Sequence, residues 1–144
     1  LPGVRGIVLE AVERMRPMPA VRNTGRVVGP GWRFKRLLIE ATGGRALRRE
    51  LERRGIAHNP ALSGVYDFQT LDYRELMQRW LAAIPAEGAL LFCHPGAAST
   101  GAAADPIAAA RVREGNYLRS AGFTGDLAAA DVKLGPVWRS GATP

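Results

Sequence analysis

Histidine is the side chain best suited to proton chemistry near neutral pH, and this chain has two, His58 and His94. His94 has the more telling position. It closes the run Ala89-Leu90-Leu91-Phe92-Cys93, and Pro95-Gly96 then turns the backbone. A short apolar run bounded by such a turn reads as a buried strand of a mostly parallel sheet. In open α/β sheets and barrels, ligands sit beyond the carboxyl ends of the strands. An imidazole fixed at that spot is a candidate acid, base or metal ligand, or a histidine that only satisfies a hydrogen bond at the sheet rim. His58 stands before Asn59-Pro60 and reads as an exposed or packing residue on a surface loop.

The partners such an imidazole needs are only partly visible. Amide or ester hydrolysis asks for a nucleophile or an activated water, plus a group that stabilises charge. Asp67, Asp72, Asp105 and Glu114 are carboxylate candidates, and nothing in their spacing selects one of them. Asp67 reads equally as a site residue or a helix cap. A metal site takes about three or four ligands, but the two histidines are far apart in sequence and form no His-x-His or His-x-x-x-His pair. No Gly-x-Ser-x-Gly elbow occurs. Cys93 is the single cysteine, so no disulfide within the chain and no cysteine-based zinc site can form. Successive strand residues point to opposite faces, so Cys93 reads as a structural neighbour of His94 and not as its nucleophile partner. The residues alone do not make a complete active site.

The elements that must carry these residues alternate. Val4, Ile7, Val8, Ala11, Val12 and Met15 recur at helical spacing up to Pro17. Ala20-Val21-Arg22 is a short strand candidate. Gly29-Pro30-Gly31 opens a helical region with Trp32, Leu37, Leu38 and Ile39. Thr42-Gly43-Gly44 breaks it as a helix-helix joint, since no phosphate-loop spacing is present. Ala46, Leu47 and Leu51 continue into a charged helix ending before Gly55. Leu62 to Phe68 is strand-like, with Gly64 marking a bulge or close backbone approach. Asp72 caps a helix whose stripe is Leu76, Met77, Trp80, Leu81 and Ile84, ended by Pro85.

After the His94 turn, Ala97 to Ala104 is a small-residue loop suited to a substrate rim. Asp105-Pro106 starts the next helix, with Arg111, Glu114 and Leu118 near one face. Gly122-Phe123-Thr124-Gly125 is expected to break it, Asp126 to Ala130 to form a short turn, and Val132 to Trp138 to form a last strand with Pro136 at an edge. The order predicts an α/β architecture with a parallel sheet or barrel. It supplies three or four strands and begins in mid-unit.

Composition sets the outer bounds. The chain has 144 residues, 47% of them hydrophobic, which excludes a disordered polar chain. No apolar run is long enough to span a bilayer, and no secretory signal is visible. A soluble, cytoplasmic protein is expected. The formal charge is +7 and almost all of it comes from arginine. Arg48, Arg49, Arg53 and Arg54 alternate with Glu50 and Glu52, as on a solvated helix face. No nucleic-acid signature accompanies them, so nucleic-acid binding is not expected.

Taken in order, the segments resemble the C-terminal half of YdjC/ChbG-type carbohydrate deacetylases, including the hopanoid-biosynthesis-associated branch. Leu91-Phe92-Cys93-His94-Pro95-Gly96 is similar to that family's Cys-His-Pro-Gly strand end. Gly55-Ile56 to Pro60, followed by Ser63-Gly64-Val65-Tyr66-Asp67-Phe68, is similar to its middle segment. Arg111, Glu114, Tyr117-Leu118 and Ser120 resemble the helix after its His-Pro-Gly loop. Pro2-Gly3-Val4-Arg5 resembles the residues after its His-x-His strand, and Val21-Arg22 its next strand end.

The resemblance implies a distorted (β/α) barrel of YdjC/NodB type, incomplete in this chain, with residues 1–144 as one partial domain. It implies hydrolysis of N-acetyl groups on amino sugars or sugar-bearing lipids, with a divalent metal, Mg or Zn, whose aspartate and histidine ligands lie mostly outside this sequence. His94 becomes the expected catalytic residue. Arg22 and Asp67 become the expected substrate-binding residues. The chain by itself is then expected to be an inactive fragment that holds metal weakly and can self-associate. The rival expectation is a non-catalytic binding or structural remnant with a basic surface.

Overall fold

The computed structural model describes residues 2–30, 40–97 and 105–139. The predicted helix around Trp32, Leu37, Leu38 and Ile39 and most of the Ala97 to Ala104 loop lie outside these residues.

A short parallel sheet carries the site. Strand β1 (Leu62–Ser63) pairs with β2 (Leu90–Leu91), Leu62 opposite Leu90 and Ser63 opposite Leu91. Backbone pairing continues past both strands. Leu62 donates to the Arg26 carbonyl and accepts from Val28, while Ala61 and Ser63 accept from Leu90 and Phe92. Neighbouring residues of an extended chain present their backbone groups to opposite flanks. The segment around β1 is therefore central, with 21–28 on one side and 90–92 on the other. Val21 and His58, and Val27 and Leu62, form parallel bridges.

Among the described residues there are five α-helices: α1 (Pro2–Arg14), α2 (Arg45–Arg53), α3 (Tyr73–Leu81), α4 (Ala108–Leu118) and α5 (Ala121–Ala129). Pro2 suits the first turn of α1, where its missing N–H costs nothing. Helix α1 buries Leu9, which packs with Leu51 of α2 and with Ile56, whereas Val4, Ile7, Val8 and Met15 are at least half exposed. The Gly43-Gly44 joint is a widened turn over Glu40–Gly44, and Gly43 takes a φ of 133° that glycine tolerates best.

The larger core is aromatic. The predicted stripe of α3 buries Leu76, Met77, Trp80 and Leu81 together with Tyr73. Asp72 caps the helix by accepting from the Glu75 N–H at 2.9 Å. Tyr66 and Tyr117 join Tyr73 and Trp80 in edge-on ring contacts, Tyr66 to Trp80 at 5.6 Å and Tyr73 to Tyr117 at 5.7 Å. Trp80 also donates from Nε1 to the Pro30 carbonyl at 2.8 Å, tying α3 to the segment beside β1.

Several expectations are corrected. Gly122 to Gly125 does not break the chain. Helix α5 runs through it, because Phe123 and Leu127 pack on the aromatic core and outweigh the low helix propensity of glycine. Asp126 to Ala129 belong to that helix, not to a separate turn. Val132 to Trp138 forms no strand. Only Arg139 pairs, antiparallel, with His58. His58 is thus not a surface-loop residue. It is 8% exposed and exchanges backbone hydrogen bonds with Arg139 at 2.9 and 3.0 Å. Asp105 bonds the Ile107 N–H just ahead of α4, which starts at Ala108. The mixture of helices with a small parallel sheet fits the α/β class.

Candidate functional site

Beyond the carboxyl ends of β1 and β2 lies a cavity of about 390 Å³ lined by Arg22, Thr24, Leu62, Gly64, Val65, Tyr66, Phe68, Phe92 and His94. The structure therefore brings Arg22 and His94 to one pocket. Asp67 sits outside this lining. It is exposed, and its Oδ1 accepts from the Gln69 N–H at 3.0 Å, closing a local turn. The lining residues Thr24, Tyr66, Phe68 and Phe92 were given no site role from the sequence, although Tyr66, Phe68 and Phe92 stand inside the family-like runs. No spacing signal marks them, because they arrive from three separate segments.

Backbone proximity shapes the pocket floor. Gly64 has a φ of 93°, and a Cβ there would lie 2.1 Å from the Phe92 carbonyl oxygen. Only glycine lets the chain after β1 lie so close to the chain after β2. This is the close approach that the sequence suggested for position 64.

The His-Pro-Gly turn is pressed onto α4 in the same way. Gly96 donates to the Arg111 carbonyl at 3.0 Å, and a Cβ on Gly115 would meet the Gly96 carbonyl at 2.8 Å. A glycine inside α4 costs helix stability, but here it lets the turn come close. Its neighbour Glu114 then reaches the turn itself. Glu114 is fully buried, and its Oε2 accepts the backbone N–H of His94. Its Oε1 accepts the Tyr66 hydroxyl. Burial raises the Tyr66 phenol above its ordinary pKa, and the hydrogen bond to Glu114 adds to the shift.

The His94 ring is held by its neighbours' shapes. Phe92 and Phe68 meet it edge-on with centroids at 4.3 and 5.0 Å. Its Nδ1 is buried, has no hydrogen-bond partner among the described residues and lies 3.8 Å from Glu114 Oε1. The side chain keeps 19% exposure, toward the cavity it lines. The Arg22 guanidinium lies 5.1 Å from the centroid of the Phe92 ring, a cation–π contact. An imidazole, a guanidinium and aromatic walls can give or take a proton, donate hydrogen bonds to oxygens and exclude water.

Cys93 does not add a nucleophile. Burial and the charge of Glu114 push its thiol pKa up, away from the reactive thiolate. A larger hollow of about 620 Å³ lies at the ends of α3 and α5, with Asp126, Asp131 and Lys133 as its charged lining. Asp126 is already committed to Arg74 there.

Among the described residues, no three His, Cys, Asp or Glu side chains are gathered to hold a metal ion. The residues present do not by themselves fit a metal centre. No described helix is long and apolar enough to cross a membrane. Several arginines are paired: Arg48 with Glu52, Arg53 and Arg54 with Glu50, Arg54 with Glu13, and Arg111 with Asp105.

The family model described as YdjC-like protein covers residues 1–129. No curated protein and no solved structure matches.

Proposed function

The chain belongs to the YdjC-like family, a carbohydrate-deacetylase-like family, and from that premise we propose that it carries the proton-handling side of an N-deacetylase site for amino sugars. The observation that carries the reading is the placing of His94 in an aromatic cavity, beyond the ends of paired parallel strands, beside a buried carboxylate. A position beyond strand ends is where α/β enzymes keep their chemistry, and it agrees with a site in a barrel of the YdjC/NodB type.

Hydrolysis of an N-acetyl group needs a water to attack the amide carbonyl and a proton for the departing nitrogen. His94, as imidazolium, supplies that proton. Arg22 donates hydrogen bonds to sugar oxygens from the cavity wall, and Phe68 and Phe92 give the cavity apolar walls. Asp67, on the turn beside Phe68, meets the sugar only at the rim. The divalent cation that the resemblance implies requires donors beyond the cluster described here, and no part of the role of His94 depends on it.

The test is His94→Ala in an active preparation containing this chain, assayed on N-acetylated amino sugars. Turnover is expected to fall by roughly 10²- to 10⁴-fold, the usual worth of a general acid. Near-normal turnover overturns the assignment. Arg22→Ala is expected to raise KM more than it lowers kcat.

A further inference from the structure

The buried Nδ1 of His94 raises a question that the proton-handling role leaves open: which ring nitrogen serves the substrate. We propose that Glu114 is the positioning residue of His94, holding the imidazole as its Nδ1–H tautomer so that Nε2 is the nitrogen available to the cavity. The proposal deepens the deacetylase reading and rests on it for its functional meaning, although its geometry stands independently.

Both oxygens of Glu114 accept hydrogen bonds, one from Tyr66 and one from the His94 backbone, as an ionised carboxylate does. No arginine or lysine is among its partners in the described residues. Nδ1 lies 3.8 Å from Oε1, beyond hydrogen-bond range, so the interaction is one of field and not of a formed bond. In a buried, low-dielectric setting that field still discriminates. A proton on Nδ1 turns the positive end of an N–H dipole toward the anion. A lone pair on Nδ1 would set negative against negative.

The backbone bond adds direction. Glu114 grips the N–H of the residue whose ring it biases, so ring and carboxylate cannot drift apart. Among the described residues, the other charged groups around this cluster are Arg22 across the cavity, Arg113 on α4 and Asp67 on the turn after β1. Arg113 is engaged with the Phe68 carbonyl at 3.1 Å. With Nδ1 already protonated, any further proton enters and leaves through Nε2. The imidazolium so formed gives that proton to the departing nitrogen and returns to the same neutral tautomer.

The experiment is 15N NMR of this chain labelled at histidine, with His94→Ala identifying one of only two ring systems. Under conditions where His94 is neutral, the wild type is expected to show a pyrrole-like Nδ1 and a pyridine-like Nε2. Glu114→Gln keeps the volume and removes the charge, and it is expected to invert that ratio. A wild type that is mainly Nε2–H overturns the proposal, and so does a Glu114→Gln spectrum with an unchanged ratio. If Glu114→Gln does not give a folded spectrum, Tyr66→Phe decides. Freeing Oε1 of its hydroxyl donor shifts the His94 Nδ1–H proton resonance downfield, and an unmoved resonance overturns the proposal. These readouts need no substrate. A correct tautomer with full turnover in His94→Ala would sink the catalytic reading alone, and a wrong tautomer with lost turnover would sink this proposal alone.

Discussion

Glu114 on α4 and Asp126 on α5 are two buried carboxylates on packed neighbouring helices, and their charges are answered differently. Asp126 receives Arg74 through two hydrogen bonds at 2.9 and 3.0 Å, Gln78 at 2.9 Å and the Tyr117 hydroxyl at 2.9 Å. Arg74 above all, and then Gln78, hold its carboxyl well below the usual carboxylate range. Glu114 receives one tyrosine and one backbone N–H. Each anion has a tyrosine raised by burial and by its hydrogen bond, Tyr66 at one and Tyr117 at the other. The guanidinium is the difference. Asp126 fastens α3 to α5 and its field ends at Arg74. The field of Glu114 reaches the His94 ring and the cavity beyond.

The largest test of this contrast is deletion of each carboxylate. Glu114→Ala strands the Tyr66 hydroxyl and the His94 N–H in a fully enclosed place, and should cost about 3 kcal/mol or more. Asp126→Ala should cost less, since Arg74 is more than half exposed and regains water. Equal losses in urea titrations would erase the distinction.

A pH series comes next in size. A carboxyl with a lowered pKa binds fewer protons folded than unfolded, so stability falls as pH falls. The contribution of Asp126 is whole above the ordinary aspartate pKa of about 4 and drains away as the solution becomes more acid. Melting temperatures of Asp126→Asn should decline less steeply below that pH than those of the wild type. A parallel decline would show that another group carries the acid sensitivity.

The smallest effect is expected at the tyrosines. Tyr66→Phe should cost about 1 kcal/mol, the net worth of one hydrogen bond. Tyr117→Phe should cost less again, because Asp126 keeps Arg74 and Gln78. The reverse order would mean that Glu114 is the better satisfied of the two.

What the sequence revealed and concealed divides along physical lines. The Asp72 cap, the α3 stripe and the close approach at Gly64 were legible, since each follows from local chemistry or periodicity, whereas the strand expected to end at His94 stops at Leu91, with backbone pairing reaching Phe92. Helix α5 was hidden because its glycines argue against a helix, and only packing of Phe123 and Leu127 reverses them. The expected strand from Val132 to Trp138 failed because no described strand lies beside it to pair with, and Leu134 and Trp138 are left exposed. His58 was misplaced because Asn59-Pro60 looks like a surface turn. Asn59 instead spends its side chain on a distant segment. Glu114 was visible as one carboxylate among several. Its selection waited for the Gly96–Gly115 contact, which no spacing rule predicts.

That use of Asn59 reaches past the fold. Asn23 donates its N–H to Asn59 Oδ1 at 2.7 Å, Asn59 Nδ2 bonds the Asn23 carbonyl at 2.9 Å, and Asn23 Nδ2 returns to the Asn59 carbonyl at 3.2 Å. Both amides are wholly buried, and they hold the Arg22–Thr24 edge of the cavity against the chain leading to β1. Replacing Asn59 strands the buried backbone N–H and carbonyl of residue 23, whereas replacing Asn23 leaves the Asn59 side chain its backbone partners and removes only the bonds to the Asn59 carbonyl and the Gly25 N–H. In sequence comparison, position 59 should then resist change whatever residue stands at position 23, since its side chain reads only the backbone there.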